Sequence, residues 1–309
     1  MGNLTNAQSG ADISGIYNLG SSSPEGGNHL VVLENGDYAI LHFGGMQLGK
    51  WKNTEKNVYQ FSPNIQGSKF DLYGRHNKAL EGKTKIFFKG FENGETFIQL
   101  GKAKDEEYTM QRVFNVGANC FSYHYEHTFE TVSNSISFAS IQYDDPKSAI
   151  ITIQNPEGYN DFVAHYVEVN RYEAEPFYAT FKNNGLQMEE GGHSDRSPLE
   201  EAGDDVKHLK KIIERNSNMD TIYLNPSYNV FGQIDDEEPR DIHEFHVYNE
   251  QKNAFIDTEF YVEGEENNLS DDSFDVMSII YEYRLLKENT SDEASYKIIE
   301  KSLFEVNCD

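Results

Sequence analysis

The stretch from His29 to Pro63, HLVVLENGDYAILHFGGMQLGKWKNTEKNVYQFSP, alternates apolar and polar residues at period two and is cut by Asn35-Gly36 and Gly44-Gly45. Successive side chains of a strand point to opposite faces, so this pattern suits half-buried strands and cannot be laid on one side of a helix. Asn-Gly readily takes the positive dihedrals of a type I′ turn, which predicts a hairpin from Leu30 to Glu34 and Asp37 to Phe43. Gly44-Gly45 permits a second reversal. Leu48, Trp51 and Val58 to Phe61 then supply large side chains for one face, while Lys50, Lys52, Glu55 and Lys56 suit solvent.

A lone sheet of this kind needs closure or a second layer to bury its apolar face. Strand patterns continue on both sides. Ile13 to Leu19 precedes a Gly/Ser-rich loop, SSSPEGGN, and Lys69 to Tyr73, Lys83 to Phe91 and Thr96 to Leu100 follow, with Asn93-Gly94 as a further turn. About eight strands joined by short turns predict a small up-and-down β-barrel over residues 13–105, since closure removes both exposed edges.

Three patterns in this region carry a resemblance: S-G-x-Y at Ser14 to Tyr17, L-E-N-G-D-Y at Leu33 to Tyr38, and L-G-K-W-K-N at Leu48 to Asn53. They resemble the glycine-plus-aromatic strand openings of lipocalin-like and avidin-like barrels over about ninety residues, with the Gly-x-Trp strand fourth rather than first as in avidins. The resemblance implies a barrel and an interior able to hold a small apolar ligand.

Beyond the charged run at Lys102 to Glu107, residues 106–309 read as a second domain. Aromatic strands alternate with acidic turns, and the chain holds 19 Tyr and 20 Phe against a single Trp. This predicts a β-sandwich-like, jelly-roll-like domain within an all-β protein. Glu190 to Asp205 reads as an exposed loop. Val206, Leu209, Ile212 and Ile213 recur at helical spacing behind Asp204-Asp205, which predicts one helix near 204–216. Ile242 to Asn249 reads as a strand, and Asp292 to Phe304 suits either a helix or a strand.

Charge separates the two regions. The formal net charge is −26, yet residues 1–100 hold nine basic and nine acidic residues, so the whole excess lies in residues 101–309. Such a surface repels phosphates, which argues against nucleic acid and anionic lipid as partners. No apolar run reaches the roughly 18 residues a membrane helix needs, so membrane insertion is not expected.

Residues 1–12 read as a disordered leader or a signal remnant, because NLTNAQ resembles the cleavage region of a bacterial signal peptide. A secreted or periplasmic location follows from that reading. In an oxidising compartment Cys120 and Cys308 could form a bridge.

No G-x-S-x-G elbow, Walker loop, dinucleotide fingerprint, H-E-x-x-H, C-x-x-C or EF-hand spacing is present. Four weaker constellations remain. His124/His127 and His243/His246 are H-x-x-H pairs; i and i+3 on a strand face opposite ways, so a zinc site would need one histidine from each, as with His127 and His243. Asp235, Asp236 and Asp241 sit in a DDEEPRD run rich in the oxygens that calcium prefers. Glu168, Glu173, Glu175, Glu259 and Glu282 lie near tyrosines, as paired carboxylates for glycoside hydrolysis would. Arg75-His76-Asn77 could hold an anion at a barrel mouth, and Trp51 is either a barrel plug or a ligand contact.

Together these features predict a secreted binding protein without catalytic activity or cofactor, whose partner is a small molecule, a glycan or a protein. A carbohydrate-active hydrolase and a calcium- or zinc-binding protein are the alternatives.

Overall fold

The computed structural model describes residues 12–20, 27–42, 45–64, 69–101, 107–121, 124–141, 149–167, 175–189, 192–217, 220–227, 242–264 and 278–308. The protein is all-β, with an eight-stranded closed antiparallel barrel and two further mixed sheets. It divides into two compact units, Met1–Gly67 with Val169–Asn218 and Ser68–Glu168 with Met219–Asp309.

The barrel lies in the first unit. Its strands run Gly15–Gly20, Asn28–Val32, Asp37–His42, Gly45–Glu55, Val58–Pro63, Phe177–Lys182, Gly185–Met188 and His193–Ser197, each paired to the next, and the last returns to the first through Tyr17 and Arg196. The barrel is therefore not the contiguous block 13–105. The strands Phe70–Arg75, Thr84–Lys89 and Glu95–Leu100, expected to close it, belong to the other unit. A physical reason is visible in Phe70–Arg75 and Thr84–Lys89, where neighbouring residues are buried on both faces, so these strands need cover on two sides.

His193–Ser197 is the strand that sequence reads as loop. Its residues, HSDRS, carry no apolar alternation, and its place comes from ladder pairing with Gly185–Met188 and Gly15–Gly20. Asn183 and Asn184 both take positive φ, 51° and 56°, in the turn before Gly185. The Asn35-Gly36 turn differs from the type I′ expectation. Only Gly36 has positive φ, 87°, and its N–H donates to the Leu33 carbonyl at 3.3 Å. The hairpin it joins, with Val31 opposite Ala39, is as expected.

Leu30 and Val32 point into the barrel with Tyr17, Tyr38, Tyr59 and Phe61, while Val31, Leu33 and Ala39 point outward. The outward set is covered by the helix Asp204–Ser217 through Val206, Leu209 and Ile213, which explains why LVVL is apolar without interruption. The helix lies where its spacing predicts, but it packs in the barrel unit rather than in the second domain.

In the second unit one sheet runs in the order Glu126–Phe129, Thr84–Lys89, Asp161–Tyr166, Phe70–Arg75, Ile279–Leu285, Ala254–Asp257, His246–Asn249, with Thr221–Leu224 also paired to Ile279–Leu285. The other runs Asn289–Asp292, Ile150–Gln154, Ser135–Ile141, Glu95–Leu100, Tyr108–Arg112, Tyr296–Ile299. Both sheets contribute to one core: Phe70, Phe88 and Phe162 meet Ile98, Ile136 and Phe138, with the Phe70 and Phe138 rings stacked at 5.2 Å. This is a sandwich arrangement. Among the described residues two strand pairings are parallel, Asp161–Tyr166 with Thr84–Lys89 and Tyr296–Ile299 with Tyr108–Arg112, and a parallel bridge joins Phe114 to Phe304. The pairing of Tyr296–Ile299 settles the Asp292 to Phe304 stretch in favour of strand.

Cys120 and Cys308 are bonded, with Cα atoms 5.3 Å apart. The bond holds the chain end beside Phe114 and Tyr125, whose rings each lie 5.3 Å from Phe304.

Candidate functional site

One end of the barrel opens into a cleft of about 650 Å³. It is built where the Gly15–Gly20 strand ends, Phe177–Lys182 begins, Gly185–Met188 ends and His193–Ser197 begins. Leu19, Ile40, Phe177 and Met188 form apolar walls continuous with the barrel core, and Glu175, Glu189 and His193 lie around them, exposed. Phe177 stacks on Phe61 at 4.8 Å and meets the edge of Tyr38 at 5.9 Å, so the aromatic core reaches directly to the cleft.

Two buried hydroxyls in this region have no protein partner. Ser194, 7% exposed, lines the cleft opposite Leu186, and its Oγ is unsatisfied. Tyr38, fully buried behind Phe177, has an unsatisfied hydroxyl, and burial holds its pKa well above the ordinary phenol value. Leaving such groups unpaired costs on the order of 1–3 kcal/mol each, a penalty a ligand's polar atom could relieve. Tyr17 contrasts with them: its hydroxyl donates to the Ile13 carbonyl at 2.6 Å, and burial raises its pKa to about 12.

Of the residues singled out from sequence, Glu175 stands at the cleft and the other described ones fall elsewhere. Trp51 does not line the cleft; its indole N–H donates to the Leu33 carbonyl at 2.8 Å, in the turn at the opposite end, and its ring lies 5.7 Å from Tyr59. Arg75 and His76 belong to the second unit and form no barrel mouth. The Arg75 guanidinium is buried against Asp161 at 2.7 Å and sits 3.8 Å over Tyr281, while the His76 ring packs 4.9 Å from Tyr159. An anion has no open approach to an arginine so enclosed.

His127 packs 4.5 Å from Phe129, and burial lowers its pKa. His243 lies in the single helical turn Ile242–Phe245 rather than in a strand, 5.4 Å from Phe255. The His124 Nδ1–H donates to the Pro226 carbonyl, 3.2 Å away. Among the described residues no three His, Cys, Asp or Glu side chains are grouped to hold a metal ion. Asp235, Asp236 and Asp241, like Glu168 and Glu173, lie outside the described residues. Glu175 stands at the cleft, and Glu282 is paired with Arg284 at 2.8 Å.

Sequence reasoning missed Ser194, Phe177 and Met188, because the barrel was closed with the wrong strands. The only signal was the Asn183-Asn184-Gly185 turn, which marks a hairpin without saying what it joins.

The fold and cleft thus define an antiparallel β-barrel open at one end and joined to a mixed β-sandwich. Comparison with known protein families, characterised proteins and solved structures finds no match for the chain. Among the described residues no helix is long and apolar enough to cross a membrane.

Proposed function

We propose that this is a non-catalytic binding protein that takes a small amphipathic molecule at the open end of the barrel. The observation that carries the reading is the cleft itself, about 650 Å³ with apolar walls and the buried, unpartnered Ser194 hydroxyl at its side. That volume and mixture of surfaces are those of small-molecule sites. Glu175 and Glu189 outnumber His193 around the apolar walls, which suits a ligand with a cationic head. The lipocalin-like motifs around Tyr17, Tyr38 and Trp51 support the same reading. The Cys120–Cys308 bond supports an oxidising compartment, hence secretion or the periplasm.

The test uses N-phenyl-1-naphthylamine, a neutral probe that fluoresces in apolar sites, and its displacement by dodecylamine or dodecanoate. Saturable probe binding is expected, with dodecylamine displacing it at lower concentration than dodecanoate. Ile40→Trp, which fills the cleft, should weaken probe binding about tenfold or more while the melting temperature holds. Probe binding that ignores Ile40→Trp, or no saturable binding at all, overturns the proposal.

A further inference from the structure

Past the strand Tyr296–Ile299, residues 303–308 run as a strap beside residues 112–119, with a parallel bridge from Phe114 to Phe304. The Leu303 and Phe304 N–H groups donate to the Arg112 and Val113 carbonyls at 3.0 and 2.9 Å, and the Asn115 N–H donates to the Phe304 carbonyl at 3.2 Å. Phe304 plugs an aromatic slot: its ring lies 5.7 Å from Phe88, 5.3 Å from Phe114 and 5.3 Å from Tyr125. Those three rings are buried while Phe304 is half-buried, so the plug is part of their cover toward solvent.

Beyond the plug the hold is different in kind. The Val306 N–H donates to Asn115 Oδ1 at 2.7 Å and the Cys308 N–H to Asn119 Oδ1 at 2.6 Å. Asn115 Nδ2 donates to Asn307 Oδ1 at 2.9 Å, and the Asn119 N–H to the Val306 carbonyl at 3.2 Å. Asn119, Asn307 and Cys308 are exposed, and hydrogen bonds open to water hold a chain end weakly because water replaces them with little net loss. The Cys120–Cys308 bond is therefore the clasp of the strap. Both cysteines are exposed, and Cys120 stands at φ 54°, in the left-handed region that a residue with a Cβ rarely adopts. Exposed disulfides on strained backbone are the ones a thiolate reaches and opens most readily.

We propose that the Cys120–Cys308 bond is a redox clasp: its reduction by a dithiol, with the rest of the second unit folded, releases the 303–308 strap and uncovers the slot between Phe88, Phe114 and Tyr125. One thiolate of the reductant attacks Cys308 Sγ and forms a mixed disulfide, as the Sγ–Sγ bond breaks and Cys120 leaves as a thiolate that takes up a proton. The second thiol of the reductant, deprotonated in turn, attacks its own sulfur in the mixed disulfide and releases Cys308, which is protonated. The dithiol is oxidised to a disulfide, and the protein gains two electrons and two protons. Reoxidation re-seats the strap, because the plug and the hydrogen bonds return the two cysteines to a Cα separation of 5.3 Å, within the range a disulfide spans. The clasp lies wholly in the second unit and uses no residue of the barrel cleft.

The experiment treats the full-length protein with dithiothreitol in the absence of denaturant, follows thiol content by alkylation and mass spectrometry, and reads backbone amide exchange residue by residue. Both cysteines are expected to become alkylated. Exchange at Asn115, Asn119, Phe304, Val306 and Cys308 should then rise by about tenfold or more, while the strands Phe70–Arg75 and Ser135–Ile141 change by less than about twofold. Cys120→Ser with Cys308→Ser should show the released pattern without reductant, and dithiothreitol should add nothing to it. A bond that is reduced only once denaturant unfolds the protein overturns the proposal. So does a reduced protein whose strap amides exchange as slowly as before, or one whose amides all speed up together, which would make the bond a brace of the whole unit.

Discussion

The guanidinium of Arg75 and the carboxylate of Asp161 form a buried pair, Nη2 to Oδ2 at 2.7 Å and Nε to Oδ2 at 2.9 Å, with the Asp161 side chain fully enclosed. They are direct partners across adjacent strands. Asn77 donates to the same carboxylate at 2.9 Å, and the Tyr283 hydroxyl approaches it at 3.4 Å from a third strand. A buried pair is held only while every partner remains, because either charge alone is poorly solvated. Arg75→Met should therefore destabilise the protein by about 3–5 kcal/mol in urea unfolding, and adding Asp161→Leu should recover part of the loss. A double variant worse than the single would contradict this account.

Gly49 stands opposite Tyr38 in the barrel, and any side chain there would strike the Tyr38 ring and the Ser62 carbonyl. Gly49→Ala should cost about 1–3 kcal/mol and disturb the near-ultraviolet circular dichroism of the barrel tyrosines. An unchanged melting temperature would show that the ring has room to move.

The Cys120–Cys308 bond closes a loop with a sequence separation of 188. Chain-entropy models give such a cross-link up to about 5 kcal/mol, with engineered cases usually lower. Cys120→Ser with Cys308→Ser should reduce unfolding stability by about 2–5 kcal/mol under oxidising conditions. With dithiothreitol present, parent and variant should converge.

Asp71 and His165 are partners on neighbouring strands with opposite titration behaviour. Burial raises the Asp71 carboxyl to about 6 and lowers the His165 imidazole to about 4, the latter helped by Lys89. A raised carboxyl means the folded state keeps its proton longer, so its contribution to stability is lost as pH rises from about 4 to about 6. The lowered imidazole acts in the reverse sense, since the unfolded state binds more protons between about 4 and 6.5 and stability grows with pH there. In the parent these slopes oppose each other. Asp71→Asn should leave the melting temperature nearly unchanged at pH 4, raise it above pH 6, and expose a rising slope between. Equal shifts at pH 4 and pH 8 would assign the effect to packing instead.

Much of the local structure was legible. The alternation from His29 to Pro63 specified hairpins, the apolar spacing of Val206, Leu209 and Ile213 specified a helix, and polar doublets such as Asn183-Asn184 specified turns. These features depend on residues close in sequence, where side-chain direction and backbone preference act directly. The candidate site was not legible, because Ser194 sits in a strand without apolar alternation and Phe177 comes more than a hundred residues after the hairpins it completes.

By itself, then, the sequence determined that this chain is all-β, that the stretch from His29 to Pro63 forms hairpins, and that its acidity is concentrated beyond residue 100. Tertiary structure alone decided which strands are neighbours: that Phe177–Lys182, Gly185–Met188 and His193–Ser197 close the barrel, that Thr84–Lys89 runs parallel to Asp161–Tyr166, and that Cys120 meets Cys308. The reason is that period-two patterning records which face of a strand is buried, whereas backbone hydrogen bonds between strands are the same for nearly every residue. The choice of neighbour is made by closing the barrel and filling the shared cores, a global condition that no short stretch encodes.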